Sequence, residues 1–187
     1  MVTTDFINSV KRFEGFSAKP YLDPGGTMTI GYGRTENIHP NEVTTPENET
    51  KWLFKKLTII YNRVSAYCEC YNLTNNQLLA LTDFTFNLGF GNLKKLTAHN
   101  TRTIEEIAGH IPLYNKCAGK ELRGLTTRRS WELNLFTTWK NEKSNEQQLQ
   151  QLINIFLSEH DSKTRIKEDG IIGRRTVDAL HEVFSLI

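Results

Sequence analysis

Long apolar runs are missing from this chain: none approaches the ~20 residues that a membrane span needs. The N-terminal stretch Met1-Val2-Thr3-Thr4-Asp5-Phe6 also lacks the basic-then-apolar plan of a secretory signal. Together these exclude a stable membrane association and point to synthesis and retention in a cytoplasm. Cysteine is scarce and odd in number, with Cys68, Cys70 and Cys117 reading as free, reduced thiols. No Cys-x-x-Cys or His-Glu-x-x-His occurs, and the five histidines are scattered, so neither a metal site nor a cofactor is expected. An excess of either charge is lacking too, with 23 Lys and Arg against 21 Asp and Glu, a net +2. No basic stripe is interleaved with aromatics, which argues against nucleic acid as a partner. The slight positive balance suits an anionic polymer instead. Repeats and low-complexity tracts are absent. What remains is an ordinary globular composition, 38% hydrophobic and 24% charged over 187 residues. That length holds one domain, or one and a small extra.

Against this plain background, residues 13–33 carry chemistry. Phe6, Ile7, Val10 and Phe13 recur at helical spacing, with Thr4 placed to cap the helix and Asp5 in its first turn. Gly15 stops it, because a left-handed C-terminal residue costs glycine nothing. Glu14 is then the last helical residue, where unpaired carbonyls disfavour a negative charge. Phe13 and Phe16 add apolar surroundings, and such a carboxyl suits a proton donor. Pro24-Gly25-Gly26 makes a turn, and residues 27–33 mix β-branched, aromatic and glycine residues as a short twisted hairpin strand does. Asp23 opens the loop and Thr29 lies on the strand behind it. Two carboxylates in unlike surroundings are what glycoside hydrolysis uses, one as acid and one to activate water or stabilise charge.

The rest of the chain reads as helices. Thr45 caps a helix with Pro46 at its first position, and the spacing predicts one helix over residues 47–71. Thr74 with Gln77 forms a capping box for a second helix, apolar nearly all round through Phe86 and ending at Asn87-Leu88-Gly89. One or two short helices follow over residues 92–111, capped by Thr101 or Thr103. Residues 112–124 read as loop, and Leu125 opens a helix running to Trp139. Residues 140–146 are charged and free of apolar side chains, so they read as a linker. Beyond them Leu149, Leu152, Ile153, Phe156 and Leu157 make an amphipathic helix. A final helix is opened by Thr176 and turns Val177, Leu180 and Phe184 inward.

The run Glu14, eight residues, Asp23, five residues, Thr29, then Ile30-Gly31-Tyr32-Gly33 resembles the catalytic signature of phage-type lysozymes, glycoside hydrolase family 24. The segments DFTFNLGFGNL and Gly-Leu-x-x-Arg-Arg-x-x-Glu resemble two further stretches of that family. Residues 169–180, Asp-Gly-x-x-Gly-x-x-Thr-x-x-Ala-Leu, resemble the core of a small peptidoglycan-binding domain.

The resemblance implies an α+β, mostly helical, two-lobed lysozyme-like fold with a β-hairpin near the N-terminus. It divides the chain into a catalytic domain at 1–140, a linker at 141–146 and a small helical wall-binding domain at 147–187. It implies an endolysin, an N-acetylmuramidase acting on bacterial peptidoglycan as a monomer and needing a holin to pass from the host cytoplasm to the wall. Glu14 is implied as general acid, and Asp23 with Thr29 as the groups that position water. Tyr32, Phe86 and Asn87 are implied as substrate contacts, and Arg128 as an ion-pair partner of Glu14. Two other readings stay open: a lytic transglycosylase, and a wall-binding protein without activity.

Overall fold

In the computed structural model, which describes residues 1–23, 25–138, 145–168 and 171–186, the chain forms two compact units, Met1–Thr138 and Trp139–Ile187. The first unit opens with α1 (Thr4–Glu14). Its cap is Thr3 rather than Thr4: the Thr3 hydroxyl accepts from the Phe6 N–H at 3.3 Å. Gly15 ends the helix at φ 68°, donating its N–H to the Lys11 carbonyl. Strands β1 (Ser17–Leu22) and β2 (Met28–Gly31) then pair antiparallel, Tyr21 opposite Thr29 and Leu22 opposite Met28.

Gly31 is where the hairpin meets the next helix. Its φ is +65°, and a Cβ there would overlap the Glu49 side chain. Glu49 is buried and anchors the intervening loop, taking two N–H groups of Arg34 and the Thr44 hydroxyl at 2.7 Å. Arg34 pairs with Glu42 as well. These bonds raise the Arg34 pKa above its ordinary value, the Glu49 hydrogen bond most of all.

Helix α2 (Pro46–Tyr67) is capped by the Thr45 side chain with proline at its first turn. It stops earlier than the periodicity suggests: Cys68 caps it, and Glu69–Tyr71 form a separate 3-10 turn ending at left-handed Asn72. The freed Tyr67 carbonyl accepts from the Asn100 side chain at 2.7 Å, a partner 33 residues away that local pattern does not announce. α3 (Asn75–Leu88) has the capping box of Thr74 and Gln77. α4 (Phe90–Leu96) and α5 (Ile104–His110) follow, the latter with a second box of Thr103 and Glu106.

Residues 112–124 are not simply loop. A 3-10 turn (Ile111–Leu113) leads into a small antiparallel hairpin, β3 (Lys116–Cys117) and β4 (Lys120–Glu121). Ala118 and Gly119 both take positive φ, as a tight two-residue hairpin turn demands. α6 (Arg123–Thr137) begins two residues before Leu125 and ends before Trp139, which lies outside the described residues.

Two apolar clusters fill this unit. One gathers Val2, Phe6, Ile7, Val10, Tyr32, Leu53, Leu57 and Leu79. The other gathers Val64, Cys68, Ala80, Leu81, Phe84, Leu93, Leu96, Ile107, Ala108, Ile111 and Phe136. α2 supplies Leu53 and Leu57 to the first and Val64 to the second, so it is clamped at both ends. Each such burial is worth about 1.5–3 kcal/mol. The unit is α+β, mostly helical, with its hairpin near the N-terminus.

The second unit holds α7 (Asn145–Glu159) and α8 (Arg174–Ser185). Ile153, Leu157, Ile166 and Ala179 are its buried core, with Leu180 and Val183 against them. The Asn154 amide ties the connecting segment by bonding both N–H and C=O of Ile166 at 2.9 Å. α8 starts from Gly173, and this phase turns Thr176, Ala179, Leu180 and Val183 inward. Val177 and Phe184, expected inside, are 40% and 71% exposed. Leu149 and Leu152 are exposed as well. Residues 141–144 of the expected linker, and Asp169 and Gly170 of the glycine turn, lie outside the described residues, while Asn145 and Glu146 belong to α7.

Candidate active site

Glu14 ends α1, and its two oxygens have different surroundings. Oε1 accepts from Arg128 Nη1 at 2.6 Å. Oε2 faces Gly33, where a Cβ would come within 3.2 Å of it. Arg128 is itself held rigidly: Asp83, wholly buried on α3, accepts its Nε and Nη2 at 2.8 and 2.7 Å. The guanidinium lies 5.3 Å from the Phe13 ring. Burial works against the Arg128 charge, but Asp83 and Glu14 outweigh it and raise its pKa above the ordinary value.

Beside this pair, buried Arg129 donates from Nη2 to Glu132 Oε1 at 2.6 Å and to Asn87 Oδ1 at 3.0 Å. Among the described residues Glu132 Oε2 has no hydrogen-bond partner, and neither have Arg129 Nε and Nη1. Burial pushes the Glu132 carboxyl upward, and the neighbouring Asp83 carboxylate pushes it further.

At the hairpin, Asp23 Oδ1 accepts the N–H groups of Gly25 and Thr27 at 2.9 and 2.8 Å. Its other oxygen is left free of hydrogen bonds from the described residues. Thr29 is buried, with its hydroxyl donated to the Thr27 carbonyl at 3.1 Å. Tyr32 is not at the surface of the cleft. Only 7% exposed, it joins the N-terminal core and packs against Phe16, ring centres 5.2 Å apart.

Glu14 lies where three cavities meet. One of about 440 Å³ runs along Gly33, Trp52, Lys56, Arg63, Phe86, Asn87 and Phe90. A second, about 660 Å³, is lined by Arg12, Phe13, Asn87, Leu122, Arg123 and Arg128 among others. A third, about 360 Å³, reaches the hairpin base through Phe16, Ser17, Tyr21 and Gly31. A separate 480 Å³ cavity beyond Trp52 is lined by the paired Arg34, Glu42 and Glu49 and does not reach Glu14. Glu14, Arg128, Phe86 and Asn87 therefore share one connected groove. Asp23 and Thr29 are linked at the hairpin through Thr27, whose N–H goes to Asp23 and whose carbonyl accepts from Thr29. Asp83, Arg129 and Gly33 stand inside the motifs quoted from the sequence, which assigned none of them a role. The signal for Asp83 was a lone carboxylate in the apolar run Leu79–Phe86.

A helical unit with a small N-terminal hairpin and a groove centred on a helix-end glutamate defines the lysozyme-like class of fold. The profile of the phage lysozyme family matches residues 11–132, and the chain belongs to that family. It is 32% identical over 142 residues to the endolysin of Bacillus phage B103, covering 73% of this chain and 54% of that protein. The chain thus spans about half the length of this relative. The endolysin of Salmonella phage P22 is 31% identical over 143 residues, covering 72% of this chain and 97% of that protein. Among solved structures, the muramidase domain of SpmX from Asticaccaulis excentricus superposes with a TM-score of 0.64 at 26% identity, covering 73% of this chain and 97% of that domain.

Proposed function

We propose that this protein is an endolysin, an N-acetylmuramidase that hydrolyses the β-1,4 bond between N-acetylmuramic acid and N-acetylglucosamine in bacterial peptidoglycan. The observation that carries this is the place of Glu14: a helix-end carboxyl at the junction of three cavities, one oxygen on Arg128 and the other open beside Gly33. A groove that continues on either side of the acid suits cleavage within a polymer.

Glu14 protonates the departing glycosidic oxygen, a step typically worth ~10²–10⁴ in rate. Because Oε1 is engaged by Arg128, Oε2 is the oxygen that delivers the proton. Asp23 holds the attacking water on its free oxygen, with the Thr29 hydroxyl beside it, and the reaction inverts the anomeric centre. Phe86 supplies an apolar wall to the sugar. Arg129 occupies the Asn87 oxygen, which leaves the Asn87 amide as a donor. In the same reading residues 147–187 are a wall-binding module. In this reading the protein is also a monomer made in the host cytoplasm and released by a holin.

The test is digestion of purified peptidoglycan by wild type and Glu14→Gln, with fragments read by mass spectrometry. Reducing muramic ends from wild type alone are expected, with at least a hundredfold loss in the variant. Near-normal activity of Glu14→Gln sinks the assignment of the acid. Anhydro-muramic ends make the protein a lytic transglycosylase and remove the role of Asp23. No fragments from either protein leave a wall-binding protein without activity.

A further inference from the structure

One wall of the 440 Å³ cavity has no role in the chemistry above. It is a single stripe of α2: Trp52, Lys56, Ile60 and Arg63 line it in succession. Spaced four, four and three residues apart, they run about 16 Å along the helix. Lys56 is already engaged, its ammonium 3.1 Å from Glu36, whose carboxylate also accepts from Trp52 Nε1. Arg63 is not. Its guanidinium carbon lies 4.0 Å from the centre of the Phe90 ring, and among the described residues no carboxylate meets it. Lys94 Nζ approaches the same ring to 5.6 Å, again without a carboxylate. The ring is held from another side by Tyr67, edge-on at 5.2 Å. A guanidinium laid on a fixed ring has lost much of its freedom, and its N–H edges remain open. Such a fork takes a carboxylate through charge-assisted, bidentate hydrogen bonds.

We propose that Arg63, seated on Phe90, is a subsite for a carboxylate on the side arm of the muramic acid residue, either in the peptide stem or in the lactyl group. This rests on the peptidoglycan-cleaving reading above. The N-acetylated sugar rings are neutral, so the strand's own carboxylates are carried on these arms. The stripe puts the subsite in the same cavity as Glu14, so it reads a substituent of the strand being cut. Arg63 is a specificity residue here.

The experiment uses the full chain as wild type, Arg63→Gln and Arg63→Lys on three glycans. These are peptidoglycan with native stems, the same material with stem carboxylates amidated by carbodiimide and methylamine, and strands stripped of stems by an amidase, which keep only the lactyl carboxylate. Wild type is expected to cut native stems about tenfold more efficiently than amidated ones, mostly through KM. Arg63→Gln brings that ratio to about one, and Arg63→Lys falls between. Where the lactyl group is the ligand, only the stripped strands suffer the Arg63→Gln loss, because the lactyl carboxyl is held in an amide bond wherever a stem is attached, and wild type then shows no preference for native over amidated stems. Where the stem is the ligand, stripped strands escape that loss. A loss shared equally by all three glycans, or by none, overturns the proposal. Wild type cleaving none of the three overturns the muramidase reading and this subsite with it, whereas cleavage that is indifferent to Arg63 overturns the subsite alone.

Discussion

Glu132 shows how a buried residue far from solvent bears on the site. It joins Arg129 and thereby holds the Asn87 oxygen, and its own carboxyl is pushed up by burial and by Asp83. The sign of the pH effect follows. The folded state keeps a proton that the unfolded chain releases near pH 4.5. The contribution is therefore fully present below that pH and is lost as pH rises toward the raised folded value. Glu132→Gln keeps an oxygen for Arg129 but removes the titration. Thermal melts of this variant are expected to show a flatter pH profile above about 4.5, and greater stability than wild type near neutrality. An unchanged slope between pH 5 and 7 would mean that Glu132 is ionised in the fold. Of these residues, Glu14 and Arg128 were legible in the sequence because the motif spacing names them. Asp83 and Arg129 were not, because their importance comes from pairings 45 and 42 residues apart.

Among elements, the N-terminal hairpin and α2 depend on one close approach. Gly31 is in a backbone region that side chains rarely adopt, and it leaves room for Glu49, which in turn holds Arg34 and Thr44. Gly31→Ala meets two penalties, the left-handed backbone at about 1–2 kcal/mol and steric overlap at about 1–3 kcal/mol. The expected outcome is a melting temperature lowered by roughly 5–15 °C, with reduced activity because the hairpin that holds Asp23 and Thr29 shifts. A variant that melts within a degree or two of wild type would show that the Glu49 anchor yields freely. Helix starts at this scale were well marked, since Thr45, Thr74 and Thr103 cap where a hydroxyl precedes the apolar pattern. The early end of α2 and the hairpin at 116–121 were not. One is satisfied by Asn100 from a distant segment, and the other is two residues per strand, too short for a periodic signal.

For the whole molecule, the two units have separate cores, and the larger contains the entire groove. A fragment of residues 1–138 is therefore expected to fold cooperatively and melt close to the full chain, as scanning calorimetry would measure. It is also expected to sediment less with insoluble peptidoglycan, if residues 147–187 bind the wall as proposed. Equal sedimentation of fragment and full chain would remove that role from the second unit. A piece of about 40 residues is marginal alone, and this one leaves Leu152, Ile171 and Phe184 well exposed.

The sequence by itself determined what is local: where helices begin, where Gly15 stops the first one, and the Glu14–Asp23–Thr29 spacing that marks the family. These follow from backbone preferences and side chains within a few residues of one another. Only the tertiary structure decided which of the motif residues line the groove. It placed Tyr32 in the core, and it set Asp83 and Arg129 behind Arg128 and Asn87. The physical reason is that a buried charge is tolerable only with a partner, and the partners here come from different helices, brought together by the packing of α3 against α6.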